Sequence, residues 1–196
     1  VWTSADGYSS ASSYDALVSF MSFRTSFTGD IAHLVTLDAG GLGGIAATIN
    51  GLCNSNKYCY SDIDASYSEF PTYSWTVMVV THEMGHLFGS YHTHNCGAWA
   101  GGAIDNCYTT EGGCPSGPAP VGAGTIMSYC HLTGYGINLA NGFGVQPGNA
   151  IRNTISAAGC ITSCGGAATY CNSAGLSTAD EWIQTITVAG TTKTSG

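Results

Sequence analysis

The chain has 196 residues, and 4 Lys and Arg against 12 Asp and Glu give it a formal net charge of −8 at pH 7. Such an acidic chain cannot neutralise a row of phosphates, so the composition excludes a nucleic-acid partner. Hydrophobic residues make up 44% of the chain, enough for the core of one globular domain. No apolar run reaches about 18 residues, and the first residues lack a signal-peptide pattern, so we expect neither a membrane span nor a retained signal peptide.

The nine cysteines indicate disulfides rather than free thiols. No CxxC pair occurs that would favour a cysteine metal site. We therefore expect a secreted, extracellular protein whose targeting segment was removed or is not included. The odd count leaves at least one cysteine without a partner in the chain. From proximity alone, Cys53 is expected to pair with Cys59 and close a small polar loop.

The first part of the chain predicts a small sheet with one helix. Residues 1–5 have the pattern of a strand end, and residues 12–27 that of an amphipathic helix, because the large apolar residues cluster on one side. Residues 31–37 and 44–49 are short β-branched runs bounded by glycine, so both are expected to be strands. The second is expected to lie at an edge of the sheet.

The second part predicts a buried helix, a long loop and a last helix. Helical spacing of apolar residues on both faces starts at Pro71 and ends at Gly89, where a left-handed residue would stop the helix. Residues 94–125 are rich in glycine and proline and too long for an ordinary loop, so disulfides must replace the missing core there. Residues 147–158 form the last predicted helix, with Pro147 near its first turn.

The candidate metal-binding and catalytic residues are concentrated in the segment HEMGHLFGSYH, residues 82–92. The four-residue spacing of His82 and His86 places both imidazoles on one helix face, as a tetrahedral metal requires. Gly89 allows the backbone to reverse and bring His92 back as a third nitrogen ligand. Three neutral imidazoles leave one zinc position open for water, which distinguishes a catalytic site from a closed structural one.

A bare HExxH also occurs by chance in helices, with core histidines and a solvated glutamate. Here Gly89, His92 and the downstream segment GTIMSY at residues 124–129 argue against chance. Glu83 directly follows the first ligand, so its carboxylate can lie beside the bound water rather than on the metal.

The pattern HExxHxxGxxH followed by a methionine in a tight turn resembles the signature of the metzincins, a clan of zinc endopeptidases. The resemblance covers about residues 1–164. Residues 77–86 and the preceding Gly-Gly-Ile-Ala edge strand look most like secreted bacterial members of the adamalysin/reprolysin branch. Thr93 stands where adamalysins usually have an aspartate, and residues 125–129 are more similar to the turn of serralysins and astacins.

The resemblance implies an α+β metzincin fold. An upper subdomain, residues 1–89, would hold a twisted, mostly parallel sheet and the active-site helix; across a cleft, an irregular, disulfide-rich lower subdomain, residues 90–164, would end in a helix. Upstream family elements are absent from the chain: they were cut away, are supplied separately, or are lacking in a minimal member. Residues 170–183 resemble the start of GEVED-type modules, so residues 165–196 are expected to be a linker and the start of an accessory module.

The resemblance also implies the roles of the site residues. His82, His86 and His92 would bind Zn²⁺, and Glu83 would accept a proton from the zinc-bound water and pass it to the leaving amine. Met127 would form an apolar floor beneath the ligands. The protein is therefore expected to be a secreted zinc endopeptidase that hydrolyses extended protein or peptide substrates.

Two further regions of the cleft have open interpretations. By resemblance, Tyr129 would bind zinc or stabilise the oxyanion; packing as a cleft wall is an equal alternative. The edge-strand residues Gly44, Ile45 and Ala46 are expected to bind an extended substrate through main-chain hydrogen bonds. An ordinary edge strand would have the same sequence.

The other polar residues are expected to support the fold. His94 and His131 would be surface residues or would support a ligand, because three ligands and a water already complete the zinc. His33 is expected to be structural. Four acidic residues are candidates for a calcium site, but their spacing matches no EF-hand loop and favours solvated turn carboxylates. They are Asp62, Asp64, Asp105 and Glu111.

Disulfides are expected in the lower loop, which is the glycine- and proline-rich segment of residues 94–125. Among many possible connectivities, we expect Cys107 to pair with Cys114 and Cys96 with Cys130. We expect a monomer, and a removed propeptide or a missing N-terminal segment stays an open alternative.

The competing functions are a catalytically inactive zinc-binding or protein-binding module of metzincin fold and a non-peptidase hydrolase. Glu83 argues against the inactive module, and a long groove would argue against the other hydrolase.

Overall fold

The structure, a computed structural model, describes residues 11–37, 41–161, 185–188 and 191–194. The chain forms two compact units, Val1–Cys160 and Ile161–Gly196. The predicted opening strand, the linker and the GEVED-like segment lie outside the described residues. None of the described helices combines the length and the apolar character needed to cross a bilayer.

Within its described residues, the first unit has three α-helices and three strands, besides two short 3₁₀ helices, so the α+β class is confirmed. In chain order they are α1 (Ser13–Phe23), β1 (Ala32–Thr36), β2 (Gly44–Ala46), β3 (Tyr58–Asp62), α2 (Trp75–Leu87) and α3 (Val145–Ala157). All but β3 were predicted, with bounds that differ by a few residues. In the second unit, β4 (Thr185–Val188) and β5 (Thr191–Thr194) pair as an antiparallel hairpin.

The sheet is built around β3, which pairs in parallel with β1 and antiparallel with β2. Its polar residues made β3 difficult to predict, but they are satisfied inside the fold. Ser61 Oγ and His33 Nε2 are 2.9 Å apart, and the main-chain N–H of Leu42 donates to Asp62 Oδ2 at 2.9 Å. Burial lowers the pKa of His33 to about 4, so this histidine is a neutral structural residue. Among the described strands, β2 forms an edge, as predicted.

Helix α1 covers one face of this sheet. The Ser12 hydroxyl caps its N-terminus by accepting the N–H of Asp15 at 3.0 Å. Leu17 and Phe20 are buried from this helix in the same apolar cluster as Leu34 and Tyr60 of the sheet. This amphipathic packing is what the sequence predicts for residues 12–27.

Helix α2 carries the HExxH segment and packs against β2 and β3. It begins at Trp75 rather than near Pro71 because Ser74 is the N-cap, with its hydroxyl accepting the N–H of Val77 at 3.4 Å. Gly89 has a φ of 94° and follows the end of the helix, as predicted. A side chain there would also collide with Thr154 Oγ1 of α3, so the glycine allows two helices to approach closely.

All three expected disulfide pairings are wrong. The structure pairs Cys53 with Cys160, Cys96 with Cys114, and Cys107 with Cys130. Cys59, expected to pair with Cys53, is a buried free cysteine inside β3. The strand directs it into the protein interior, whereas the loop carrying Cys53 meets the end of α3. Nearness in sequence was therefore a poor guide to nearness in space.

The pairing in the lower loop follows from backbone hydrogen bonds. The N–H of Cys96 donates to the carbonyl of Glu111 at 2.9 Å, which brings Cys96 beside Cys114. Cys107 instead joins the apolar cluster that holds Met127 and Cys130. The expectation that disulfides support this loop is confirmed.

Candidate metal centre

The three histidines of the HExxHxxGxxH segment come together at the C-terminal end of α2. Their potential ligand nitrogens all lie within 4.8 Å of one another. His82 and His86 are buried, one turn apart on the helix. His92 returns from the loop after Gly89, where the N–H of Ser90 donates to the carbonyl of Gly85 at 3.0 Å and closes the turn.

Each of these imidazoles uses its Nδ1 to bond to an oxygen that can only accept a hydrogen. The pairs are His82 with the Ile126 carbonyl at 2.7 Å, His86 with the Ser90 carbonyl at 2.8 Å, and His92 with Glu111 Oε1 at 2.6 Å. Nδ1 must therefore carry a proton, and in the neutral ring this leaves the lone pair on Nε2. This is the tautomer and the orientation that a metal-binding histidine needs.

The facing Nε2 atoms fit a zinc ion. His86 Nε2 and His92 Nε2 lie 3.1 Å apart, so two lone pairs meet without a proton between them. Zinc bonds of about 2.0–2.1 Å in tetrahedral geometry place two nitrogens about 3.3 Å apart. Burial, and then the neighbouring imidazoles, lower the pKa of His82 well below its ordinary value and that of His86 to about 4. Both rings are therefore neutral, as ligation requires.

Glu83 lies beside this centre and is only 5% exposed. Burial raises the pKa of its carboxyl to about 8. A Cβ added to Gly44 of β2 would lie 2.7 Å from Glu83 Cγ and 2.8 Å from Cδ. The edge strand therefore passes directly against the glutamate, and only glycine allows this approach.

A cleft of about 400 Å³ joins the edge strand to the histidines. Its lining comprises Gly44, Ile45, Ala46, Thr48, Ile49, Glu83, His86, Tyr91, His92, Asn95, Glu111 and Tyr129. The three predicted substrate-binding residues thus share one cleft with the predicted base, two predicted ligands and Tyr129. The lining contains two acidic side chains, Glu83 and Glu111, and no lysine or arginine.

Met127 and Tyr129 lie on the turn that passes beneath α2. Met127 is fully buried, and a Cβ on Gly85 would lie 2.6 Å from its Sδ, so the helix rests closely on this methionine. The ring of Tyr129 is centred 4.7 Å from that of His92 and 6.0 Å from that of His82. Burial, followed by the charges of Glu83 and Glu111, raises the pKa of Tyr129 to about 12, so its phenol stays protonated at neutral pH.

A comparison with protein families agrees with this geometry. A reprolysin-type family model, described as metallo-peptidase family M12, matches residues 1–136. The chain belongs to metallo-peptidase family M12. No curated protein matches it. For this M12 family member, the model match and the histidine triad both indicate a metallopeptidase site.

Glu111 is the site residue of this M12 chain whose role the sequence analysis missed. In the sequence it is only one of four calcium candidates, yet in the structure its carboxylate accepts hydrogen bonds from Nδ1 of His92 and, at 3.2 Å, from the side-chain amide of Asn95. It lies in the loop that the Cys96–Cys114 disulfide closes. The signal in the sequence was a lone acidic residue in a cysteine-bounded loop, which could be interpreted only once that pairing was known.

The other candidates have separate roles in the M12 chain. Asp62 and Asp105 accept main-chain N–H groups, and no possible metal group among the described residues unites the four calcium candidates. His94 is not a surface residue: it is 1% exposed, and its ring stacks on His92 at 4.9 Å. The His131 ring is centred 5.8 Å from that of Tyr129 and is not part of the triad.

Proposed function

We propose that this chain is the catalytic domain of a secreted zinc endopeptidase of the reprolysin branch, with a methionine turn similar to that of serralysins and astacins. The observation that carries the proposal is the convergence of one ligand nitrogen from each of three histidines, within 4.8 Å of one another, beside a buried glutamate at a cleft. His82, His86 and His92 would hold Zn²⁺. The disulfides support an extracellular setting, because a reducing cytosol disfavours them.

The mechanism assigns a proton transfer to Glu83. When bound, zinc supplies a Lewis acid that lowers the pKa of a water and polarises a peptide carbonyl. The positive charge of a bound metal ion would favour the ionised form of the Glu83 carboxyl. The carboxylate would then accept a proton from the attacking water and pass it to the leaving amine. The protonated phenol of Tyr129 donates a hydrogen bond to the oxyanion that develops on the substrate.

The substrate is an extended segment of a protein or peptide. It would pair with the edge of β2 through main-chain hydrogen bonds, which gives affinity with little demand on side chains. Because Gly44 contacts Glu83, a strand added there would lie beside the general base. The open cleft along β2 favours a polymer over a small enclosed substrate.

Digestion of a mixed peptide library, read by mass spectrometry, tests this function directly. We expect cleavage at internal bonds, one zinc per chain, and loss of cleavage after zinc removal by phenanthroline, with recovery on zinc addition. Cleavage that persists after verified metal loss would exclude the metal mechanism. Stoichiometric zinc without any cleavage would identify the inactive zinc-binding module instead.

Substitution of Gly44 by alanine is expected to impair catalysis without affecting zinc. The added methyl group would lie 2.7 Å from Glu83 Cγ, so the carboxylate must move. A displacement of about 1 Å in a catalytic group can cost about 100-fold in rate, and we expect kcat to fall by about 10–100-fold. Gly134→Ala is the matched control, because its Cβ meets nothing within 4 Å. Equal kcat in the two variants would disprove the close fit of β2 to the base.

A further inference from the structure

His92 differs from the other two imidazoles in what orients it. His82 and His86 donate to main-chain carbonyl oxygens, which every variant retains. His92 lies beyond the end of α2, with a side chain 17% exposed, and its Nδ1 meets a side-chain oxygen, Oε1 of Glu111, at 2.6 Å. The orientation of the His92 ring therefore depends on the side chain of Glu111, which a substitution can remove.

Glu111 is itself held in place from several directions. Its Oε2 accepts a hydrogen bond from Asn95 Nδ2 at 3.2 Å. Its main-chain N–H donates to the His94 carbonyl at 3.1 Å, and its carbonyl accepts the N–H of Cys96 at 2.9 Å. The disulfide from Cys96 to Cys114 closes the same loop. The carboxylate that contacts His92 therefore belongs to a loop that is fixed by backbone hydrogen bonds and a disulfide.

Two contacts of the His92 ring, one with His94 and one with Glu111, complement each other. The ring of His94 stacks on it at a centroid distance of 4.9 Å and an interplanar angle of 9°, which restricts tilting of the ring plane. Stacking leaves rotation within that plane free, and the bond from Nδ1 to Glu111 stops it. Together the two contacts restrict where Nε2 points.

We infer that Glu111 is a positioning residue for the metal centre: it holds His92 so that its Nε2 joins those of His82 and His86. The inference rests on the proposed function. His92, His94 and Glu111 also lie close enough to share an ion of their own. The 2.6 Å bond between His92 Nδ1 and Glu111 Oε1 leaves no room for such an ion between those atoms, so the positioning role is favoured.

The test compares zinc affinity in Glu111→Ala and Glu111→Gln with that of the full wild-type chain, by competition with a chelating dye. Partners of this kind typically contribute about 10–100-fold to metal affinity, and we expect the alanine variant to lose that amount. Glutamine keeps an oxygen that can accept the Nδ1 proton, so its zinc affinity is expected to lie between those of the alanine variant and wild type. Glu69→Ala, at an exposed carboxylate, is the matched control and should bind zinc like wild type.

Two further measurements separate positioning from general stability. The side chain of Glu111 is 42% exposed, so its truncation leaves no buried cavity, and the zinc-free variants should unfold at the wild-type temperature. At saturating zinc, kcat should recover toward that of wild type while KM stays unchanged. If the alanine variant does not fold, the glutamine variant decides by the same zinc measurement.

Zinc affinity of folded Glu111→Ala within twofold of wild type would overturn the inference. So would a fall in the unfolding temperature of the zinc-free form without any change in zinc affinity. Failure of the proposed function is a different result, because there the wild-type chain itself would bind no zinc or cleave no peptide. Wild-type zinc binding and cleavage that survive loss of Glu111 would remove only the positioning role.

Discussion

Replacement of Glu83 by glutamine is expected to lower kcat/KM for a peptide substrate by about 10²–10⁴-fold, the usual contribution of a general base. The amide has nearly the shape of the carboxyl but cannot accept the proton of the attacking water. Zinc content should stay at one per chain, because the ligand nitrogens belong to the three histidines. Steady-state kinetics and elemental analysis of the same preparation measure both quantities.

The matched control for this variant is Glu69→Gln, which makes the same chemical change at an exposed position. Its kinetics should equal those of wild type. If Glu83→Gln retained activity within a factor of three of wild type, another group would have to be the base. Loss of zinc in the variant would instead place Glu83 on the metal.

Removal of the Cys53–Cys160 disulfide by a double serine substitution is expected to lower the free energy of unfolding more than removal of any other described disulfide. The two cysteines are 107 residues apart. Closing a loop of that length lowers the entropy of the unfolded chain and so raises its free energy by about 5 kcal/mol. Urea unfolding of the zinc-free protein under non-reducing conditions measures the loss. The bond joins the loop before β3 to the end of α3 and includes no proposed zinc ligand. We therefore expect the folded variant to keep most of its kcat/KM although its free energy of unfolding falls.

The comparison is the double serine variant of Cys96 and Cys114, which are 18 residues apart. Loop closure then contributes about 3 kcal/mol, so this variant should be the more stable of the two. The reverse order would contradict the loop-length argument. Disulfide mapping that linked Cys53 to Cys59 would contradict the pairing itself.

Predictions from local patterns were confirmed where one segment carries the whole signal. The apolar spacing of α1 and α2 and the glycine after α2 all describe contacts within a few residues. Gly89 is the clearest example, since its φ of 94° is what a helix-ending glycine predicts. Sequence also sufficed for the family, because the segment from His82 to His92 carries its motif.

Predictions that needed distant contacts were wrong or were not made. Strand β3 was missed because Ser61 and Asp62 look unfavourable in a strand until their partners from β1 and the loop before β2 are known. Proximity in sequence favours Cys59 as the partner of Cys53, but the structure joins Cys53 to Cys160. Glu111 could not be related to His92 before the lower loop was closed.

The linear order of residues by itself determined that three imidazoles and a carboxylate meet at one helix end, because helical pitch and one glycine turn bring groups within eleven residues together. Only the tertiary structure decided which oxygens orient His82 and His92, which strand contacts Glu83 and which cysteines join. Those choices depend on burial and on backbone hydrogen bonds between segments far apart in the chain. A pattern read along one segment carries no information about them.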